Sequence, residues 1–363
     1  MSALRAELVR LIRSEGPMPV SRYMALCLGH PAHGYYMTRD PFGVQGDFTT
    51  APEISQMFGE LIGVWAAQLW QAMGAPPSIR LVELGPGRGT LMADMLRAAR
   101  VLPAFRAALS VHLVEMSPVL RTLQARTLAG QAEPVWHDRI EEALDGPVIV
   151  IANEFLDALP LDQFVKTQEG WRERLVGLDP EGGLCFGLSG AAVDLAADAT
   201  PGTVLEQPRA ALDCVAALAR HVAGAGGAAL LIDYGNAQSG FGDTLQAMRR
   251  HRFVPVLDDP GEADLTVHVD FARMAAAALR AGAAVNGPVG QGDFLRGIGL
   301  NERARALSLR ATSEQAKAIA EAADRLTEPG ATGMGTLFKC LALAHKELPP
   351  LPGFDLHRLP EQG

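Results

Sequence analysis

The segment from Arg80 to Arg100 constrains this chain more than any other. Arg80-Leu81-Val82-Glu83-Leu84 reads as a strand, Gly85-Pro86-Gly87-Arg88-Gly89 as a tight turn, and Thr90 to Arg100 as a helix. Glycines at the turn leaving a first strand let a ligand approach the backbone, at the edge where open α/β sheets bind their ligands. Three further short apolar runs follow, VHLVE at 111–115, PVWHD at 134–138 and GPVIVIAN at 146–153, each separated by helix-like text. That alternation builds a parallel sheet and predicts a Rossmann-like α/β fold.

The ligand at this turn is chosen by charge. A dinucleotide pyrophosphate is helped by backbone N–H groups and hindered by nearby carboxylates. Here Glu83 precedes the glycines, Glu115 ends the second strand, Asp138 ends the third and Glu154 follows the fourth. The sixth position of the G-x-G-x-x-G fingerprint is Thr90, a departure from the dinucleotide pattern. A row of carboxylates suits S-adenosylmethionine, whose ammonium, ribose hydroxyls and adenine amino group can all donate. Glu83 then faces the methionine end, Glu115 the ribose with Met116 beside it, and Asp138 the adenine. His137 can pack beside the adenine or be an ordinary strand-end histidine. An NAD-dependent oxidoreductase on the same fold is the alternative.

Ile151 to Pro160, with Asn153-Glu154-Phe155-Leu156-Asp157 inside it, follows the fourth strand. Asn153 and Glu154 can orient an amine or guanidinium, and Phe155 can wall the pocket. Methyl transfer from a sulfonium mainly requires alignment, so no metal or nucleophilic side chain is expected. The histidines give no ligand cluster, and His30 and His33 read as structural.

The rest of the chain sets bounds. It has 363 residues, 48% hydrophobic and 20% charged, enough for a substantial buried core. Its 41 acidic against 32 basic residues give a net charge of -9, which argues against a broad nucleic-acid footprint. Cys27, Cys185, Cys214 and Cys340 form no C-x-x-C pair and read as core residues of a reducing compartment. No signal core or membrane span is legible.

Helices are expected at residues 3–13, at 21–28, from Pro52 to Gly74 as one element of about five turns, and at Pro208 to Val222. QFVKT with WRERLVGL reads as an antiparallel excursion, while AALLIDYG (228–235), AAVNGPV (283–289) and GTLFKCLALAH (335–345) are further strands. Gln238 to Asp264 shows no clear period. The expected layout is an N-terminal region at 1–75 with helices and a cofactor-covering loop, then a core at 76–346 with insertions at about 161–205 and 236–272. A loose tail follows at 347–363.

With these residues in hand, the chain resembles the family of the mitochondrial complex I assembly methyltransferase (mitochondrial dysfunction protein A) and its bacterial relatives. Four segments carry the likeness: Gly34-Tyr35-Tyr36 with Gly46 to Glu60; Val82 to Gly89; Asn153 to Pro160; and Leu231-Ile232-Asp233-Tyr234-Gly235. The resemblance implies a seven-stranded methyltransferase core and methylation of an arginine on a respiratory complex I subunit. It also implies that the loop from Asp47 through Thr50 and Pro52 to Gln56 folds over the cofactor. An arginine acceptor makes Glu154, Asp157, Asp233 and Asp270 candidates to hold the guanidinium, with His268 near Asp270 in sequence. The setting expected is a bacterial cytoplasm, or a mitochondrial matrix after removal of a transit peptide. Two other functions stay open: an assembly chaperone that binds the cofactor without turnover, and a small-molecule methyltransferase.

Overall fold

The computed structural model describes residues 2–41 and 50–354. They fall into two compact units. The second unit, from residue 50 to Leu156, Cys214–Gln238 and from Val269 onward, carries the glycine turn and the large sheet.

That sheet has seven main strands: β1 (Ile79–Leu84), β2 (Leu109–Val114), β3 (Val135–His137), β4 (Val148–Asn153), β5 (Gly227–Asn236), β6 (Ala284–Gly290) and β7 (Phe338–Ala344). Their order is β6-β7-β5-β4-β1-β2-β3, with β7 antiparallel to both neighbours and the strands from β5 to β3 parallel. A two-residue strand, Val269–Asp270, adds an eighth member beside β5. The central strand β4 is buried along Val148 to Ala152, which explains why its sequence is a continuous apolar run instead of an alternating one.

The topology locates the site. After β1 the chain moves one way to β2 and β3, then returns to lay β4 on the other side of β1. The crevice where the order reverses lies at the C-terminal ends of β1 and β4, where the glycine turn and Asn153 sit.

The helix expected from Pro52 to Gly74 is two helices, Ala51–Ile54 and α1 (Gln56–Ala72). Ser55 breaks it with an extended backbone, and its hydroxyl accepts from the Met57 N–H, capping the second helix. Helix α1 packs on α2 (Thr90–Ala99) through Gly59 and Gly63. A Cβ at Gly63 would stand 2.8 Å from Met95 Cα, and one at Gly59 2.5 Å from Asp94 Cβ. Gly63→Ala should therefore cost about 1–3 kcal/mol by overpacking, against a helix-propensity gain of only about 1 kcal/mol. Urea denaturation checks this, and a net stabilisation would refute the close packing.

The first unit comprises the N-terminal segment, Asp157–Asp213 and Ser239–His268. Helices Ala3–Glu15 and Val20–Gly29 bury Leu4, Leu8, Ile12, Tyr23 and Met24 in its core. The antiparallel excursion is Asp162–Thr167 with Gly170–Leu178, widened by Leu184–Val193, Val204–Gln207 and Met18–Pro19 into a five-stranded sheet. The stretch without a sequence period holds three short strands, Gln246–Arg249, Arg252–Val254 and Asp264–Thr266, paired antiparallel.

The tail expected to be loose from 347 is packed as far as Phe354. Leu351 and Phe354 are fully buried, with the Phe354 ring 5.1 Å from that of Phe294. Two apolar side chains anchor it despite its prolines. Among the described residues no helix is long and apolar enough to cross a membrane.

Candidate functional site

Gly85, Gly87 and Gly89 have φ of 61°, 53° and 80°, all in the left-handed region that glycine tolerates best. The turn is pinned at both ends: Gly85 N–H donates to the Val114 carbonyl at 3.0 Å, and Gly89 N–H to the Pro86 carbonyl at 2.7 Å. Gly85 also has no room for a side chain, since a Cβ there would sit 2.9 Å from Phe155 Cδ2. The turn and the segment after β4 thus meet across adjacent strands, consistent with the register that pairs Leu84 with Ala152.

Glu83 is 3% exposed. One interaction comes from the Met92 backbone in the first turn of α2, and Oε2 has no donor from the protein. Burial holds its carboxyl well above the usual carboxylate range, with the Met92 hydrogen bond acting weakly in the other direction. Asn153 presents a similar deficit: its Nδ2 donates to Glu154 Oε1 at 3.1 Å, and its buried Oδ1 has no partner. Buried acceptors without donors are rare in folded proteins, and two at the ends of neighbouring strands mark a place that asks for a donor.

Glu154 has φ of 49°, an uncommon conformation for a residue with a long side chain and one that concentrates at functional sites. Its N–H donates to the Ile232 carbonyl at 2.8 Å, and its Oε1 lies 3.4 Å from the Ala51 amide. Asp233, 1% exposed and one residue past the β5 partner of Asn153, holds the same loop. Its Oδ2 accepts from the N–H groups of Phe155 at 3.2 Å and Leu156 at 2.9 Å, while Oδ1 accepts from that of Tyr234 at 2.9 Å. Asp233 therefore has backbone amides among its partners, and those bonds shape the loop.

At the end of β2, Glu115 Oε1 accepts from Ser117 N–H at 2.8 Å and Oε2 from Gln124 Nε2 at 3.2 Å. Burial raises its carboxyl above the ordinary range, partly offset by those hydrogen bonds. Met116 beside it is 60% exposed. His137 Nε2 lies 2.9 Å from His112 Nδ1 with the rings stacked, and burial lowers His112 to about 4 and His137 in the same direction. Asp138 is an exposed residue paired to Arg121 at 2.6 Å.

A family model described as S-adenosyl-L-methionine-dependent methyltransferase matches residues 61–289. The chain belongs to this methyltransferase family. The mitochondrial protein arginine methyltransferase NDUFAF7 of Xenopus tropicalis is 38% identical, over 98% of this chain and 90% of its own. The Drosophila melanogaster homologue of the same name is 37% identical, over 97% and 89%. A crystal structure from Burkholderia thailandensis with S-adenosylhomocysteine bound superposes with a TM-score of 0.85 at 30% identity, covering 98% of this chain and 95% of that one.

S-adenosylmethionine is accordingly the methyltransferase's cofactor, and the residues present fit it. The unpartnered Glu83 Oε2 and Asn153 Oδ1 suit a cationic donor group, the glycines of the turn carry no side chain of their own, and Glu115 can accept hydroxyls. Of the expected cofactor cover, Thr50 and Pro52 are buried, Gln56 is exposed at the start of α1, and Asp47 lies outside the described residues. The sequence reading passed over Glu53, whose Oε1 accepts from Thr90 Oγ1 at 2.6 Å and whose Oε2 lies 3.8 Å from Arg88. That carboxylate ties the Ala51–Ile54 helix to the glycine turn, and its place within the Gly46 to Glu60 stretch was the one signal for it.

The four proposed catalytic residues divide. Asn153, Glu154 and Asp233 gather where β5 runs past the end of β4, whereas Asp157 belongs to the first unit, where it is buried and its carbonyl accepts from Val267 N–H at 3.0 Å. Asp270 caps the helix Phe271–Arg280 by accepting from Arg273 N–H, and His268 N–H donates to Thr244 Oγ1.

Proposed function

We propose that this methyltransferase modifies an arginine side chain of a protein, and that the protein is a subunit of a bacterial respiratory NADH dehydrogenase met in the cytoplasm. The observation that carries the reading is the Asn153-Glu154 pair, an unsatisfied buried carbonyl beside a carboxylate held in a strained backbone, at the topological switch point of the sheet. The relatives named as protein arginine methyltransferases supply the substrate class.

When bound, S-adenosylmethionine supplies an electrophilic methyl carbon on a sulfur leaving group. The chain's own work is alignment and charge. Glu154 offers carboxylate oxygens matched to the N–H groups of a planar guanidinium. Asn153 fixes one of those oxygens through its Nδ2, so the carboxylate is aimed before the substrate arrives. Forming the N–C bond as the S–CH3 bond breaks releases one proton from the attacking nitrogen, and Glu154 is the carboxylate we assign to receive it. Asp233 keeps the loop in shape by occupying its amides, and Phe155 closes the space next to Gly85.

The test separates binding from transfer. Calorimetric titration should show S-adenosylmethionine and S-adenosylhomocysteine binding without NAD. Glu115→Ala should weaken that affinity by about tenfold or more with the fold retained. Glu154→Gln should keep it while methyl transfer to protein arginine falls by about a hundredfold. Full transfer in Glu154→Gln removes that residue from the mechanism, and binding with no transfer by the native protein to any protein arginine overturns the proposed activity in favour of a non-catalytic assembly role.

A further inference from the structure

Three hydrogen bonds meet on one side chain that the reaction itself does not use. Gln124, on the helix α3 (Pro118–Thr127), is fully buried. Its Nε2 donates to the Gly87 carbonyl at 2.8 Å and to Glu115 Oε2 at 3.2 Å, while its Oε1 accepts from Trp136 Nε1 at 2.9 Å. Both donors are used, so the amide has one sensible orientation: reversing it would set its oxygen against a carbonyl and a carboxylate, and its nitrogen against the indole N–H. The side chain also lies against the turn, since a Cβ at Gly89 would stand 3.4 Å from Gln124 Cα and 3.5 Å from Cγ.

We propose that Gln124 is the positioning residue of the cofactor site, setting the Gly87 backbone and the Glu115 carboxylate at a fixed spacing with Trp136 as its anchor. The inference rests on the reading that the glycine turn and Glu115 hold the cofactor, and it adds the part that keeps them in register. The turn leaves β1, Glu115 follows β2 and Trp136 lies in β3, so one amide links the C-terminal ends of three neighbouring strands. Glu115 uses one oxygen on Ser117 and one on Gln124, so its remaining acceptor lone pairs point in set directions, a preorganisation that favours binding of ribose hydroxyls.

Two variants test it, read by calorimetric affinity for S-adenosylhomocysteine on protein that melts cooperatively. Gln124→Met keeps the volume and removes all three bonds, and its Kd should rise about tenfold. Gln124→Glu places a second carboxyl 3.2 Å from Glu115. The pair can share one proton in acid and repels when both are charged, so its Kd should climb about tenfold between about pH 5.5 and about pH 8. The native protein should show the opposite slope, because acid protonates a Glu115 whose carboxyl already sits above the ordinary range. A role confined to folding would give neither effect. Native-like affinity in Gln124→Met, or an unreversed slope in Gln124→Glu, overturns the proposal. Glu115→Ala serves as the reference: if it also binds normally, the cofactor reading of Glu115 fails, and if it alone binds weakly, only the role of Gln124 fails.

Discussion

Asp233→Ala is expected to destabilise the protein by about 2–4 kcal/mol and to remove measurable affinity for S-adenosylhomocysteine. The carboxylate accepts from three backbone N–H groups, those of Phe155, Leu156 and Tyr234, in a place that water does not reach. Removing it strands those amides, and an unmade buried hydrogen bond costs far more than a made one contributes. The functional loss follows from geometry. Phe155 abuts Gly85, and Glu154 can keep its left-handed backbone only while the surrounding loop enforces it. Asp233→Asn should fall between, since its oxygen can still serve Phe155 and Leu156 while its amino group confronts the Tyr234 N–H. Urea denaturation and calorimetry decide the matter, and an alanine variant within about 0.5 kcal/mol of native would refute the clamp.

Glu83→Gln is expected to move stability and binding in opposite directions. Burial raises the Glu83 carboxyl above the usual range in the folded state, while in the unfolded chain it is ordinary. The folded protein therefore binds a proton over a pH range where the unfolded chain has lost it. Stability contributed by this proton is present at low pH and is lost as pH rises through the folded value. Above the ordinary carboxylate range, keeping Glu83 buried is a cost, in taking up a proton or in leaving the charge desolvated. The glutamine variant removes that cost and should be more stable at pH 7 by roughly 1–3 kcal/mol, with the difference vanishing as pH falls to the ordinary carboxylate range. Its cofactor affinity should drop about tenfold, because an amide cannot become the carboxylate that a bound cationic group favours. Paired melting curves across pH, with titrations at pH 7, check both halves. A variant no more stable than native at pH 7 would refute the first, and one with native affinity the second.

Much of the second unit was legible in the sequence because its signals are local. Val148 to Ala152 is apolar without interruption since both faces of this central strand are buried, and the glycines from 85 to 89 sit where the backbone has positive φ. The carboxylates of Glu83, Glu115 and Glu154 could be placed at strand ends for the same reason. What escaped depends on register between distant segments. Nothing in the text around Gln124 announces that its amide will meet Gly87, Glu115 and Trp136, because those partners come from three separate strand ends. Asp233 looked like a carboxylate for a guanidinium, and only the pairing of β5 with β4 brings it to the amides after Asn153. Strands of three or four residues, such as Arg252–Val254, are too short to show a period. Ser55 illustrates the reverse case, a small cap hidden inside an apolar pattern long enough to read as one helix.

The backbone at Glu154 has a bearing on how this chain can be altered. A residue with a full side chain at φ of 49° departs from local preference, which would favour glycine or asparagine there. A redesign guided by intrinsic backbone preference would favour replacing this residue and, on the proposed function, would erase the carboxylate that meets the acceptor. On that reading robustness and chemistry compete at this codon, and gains in stability are better sought elsewhere.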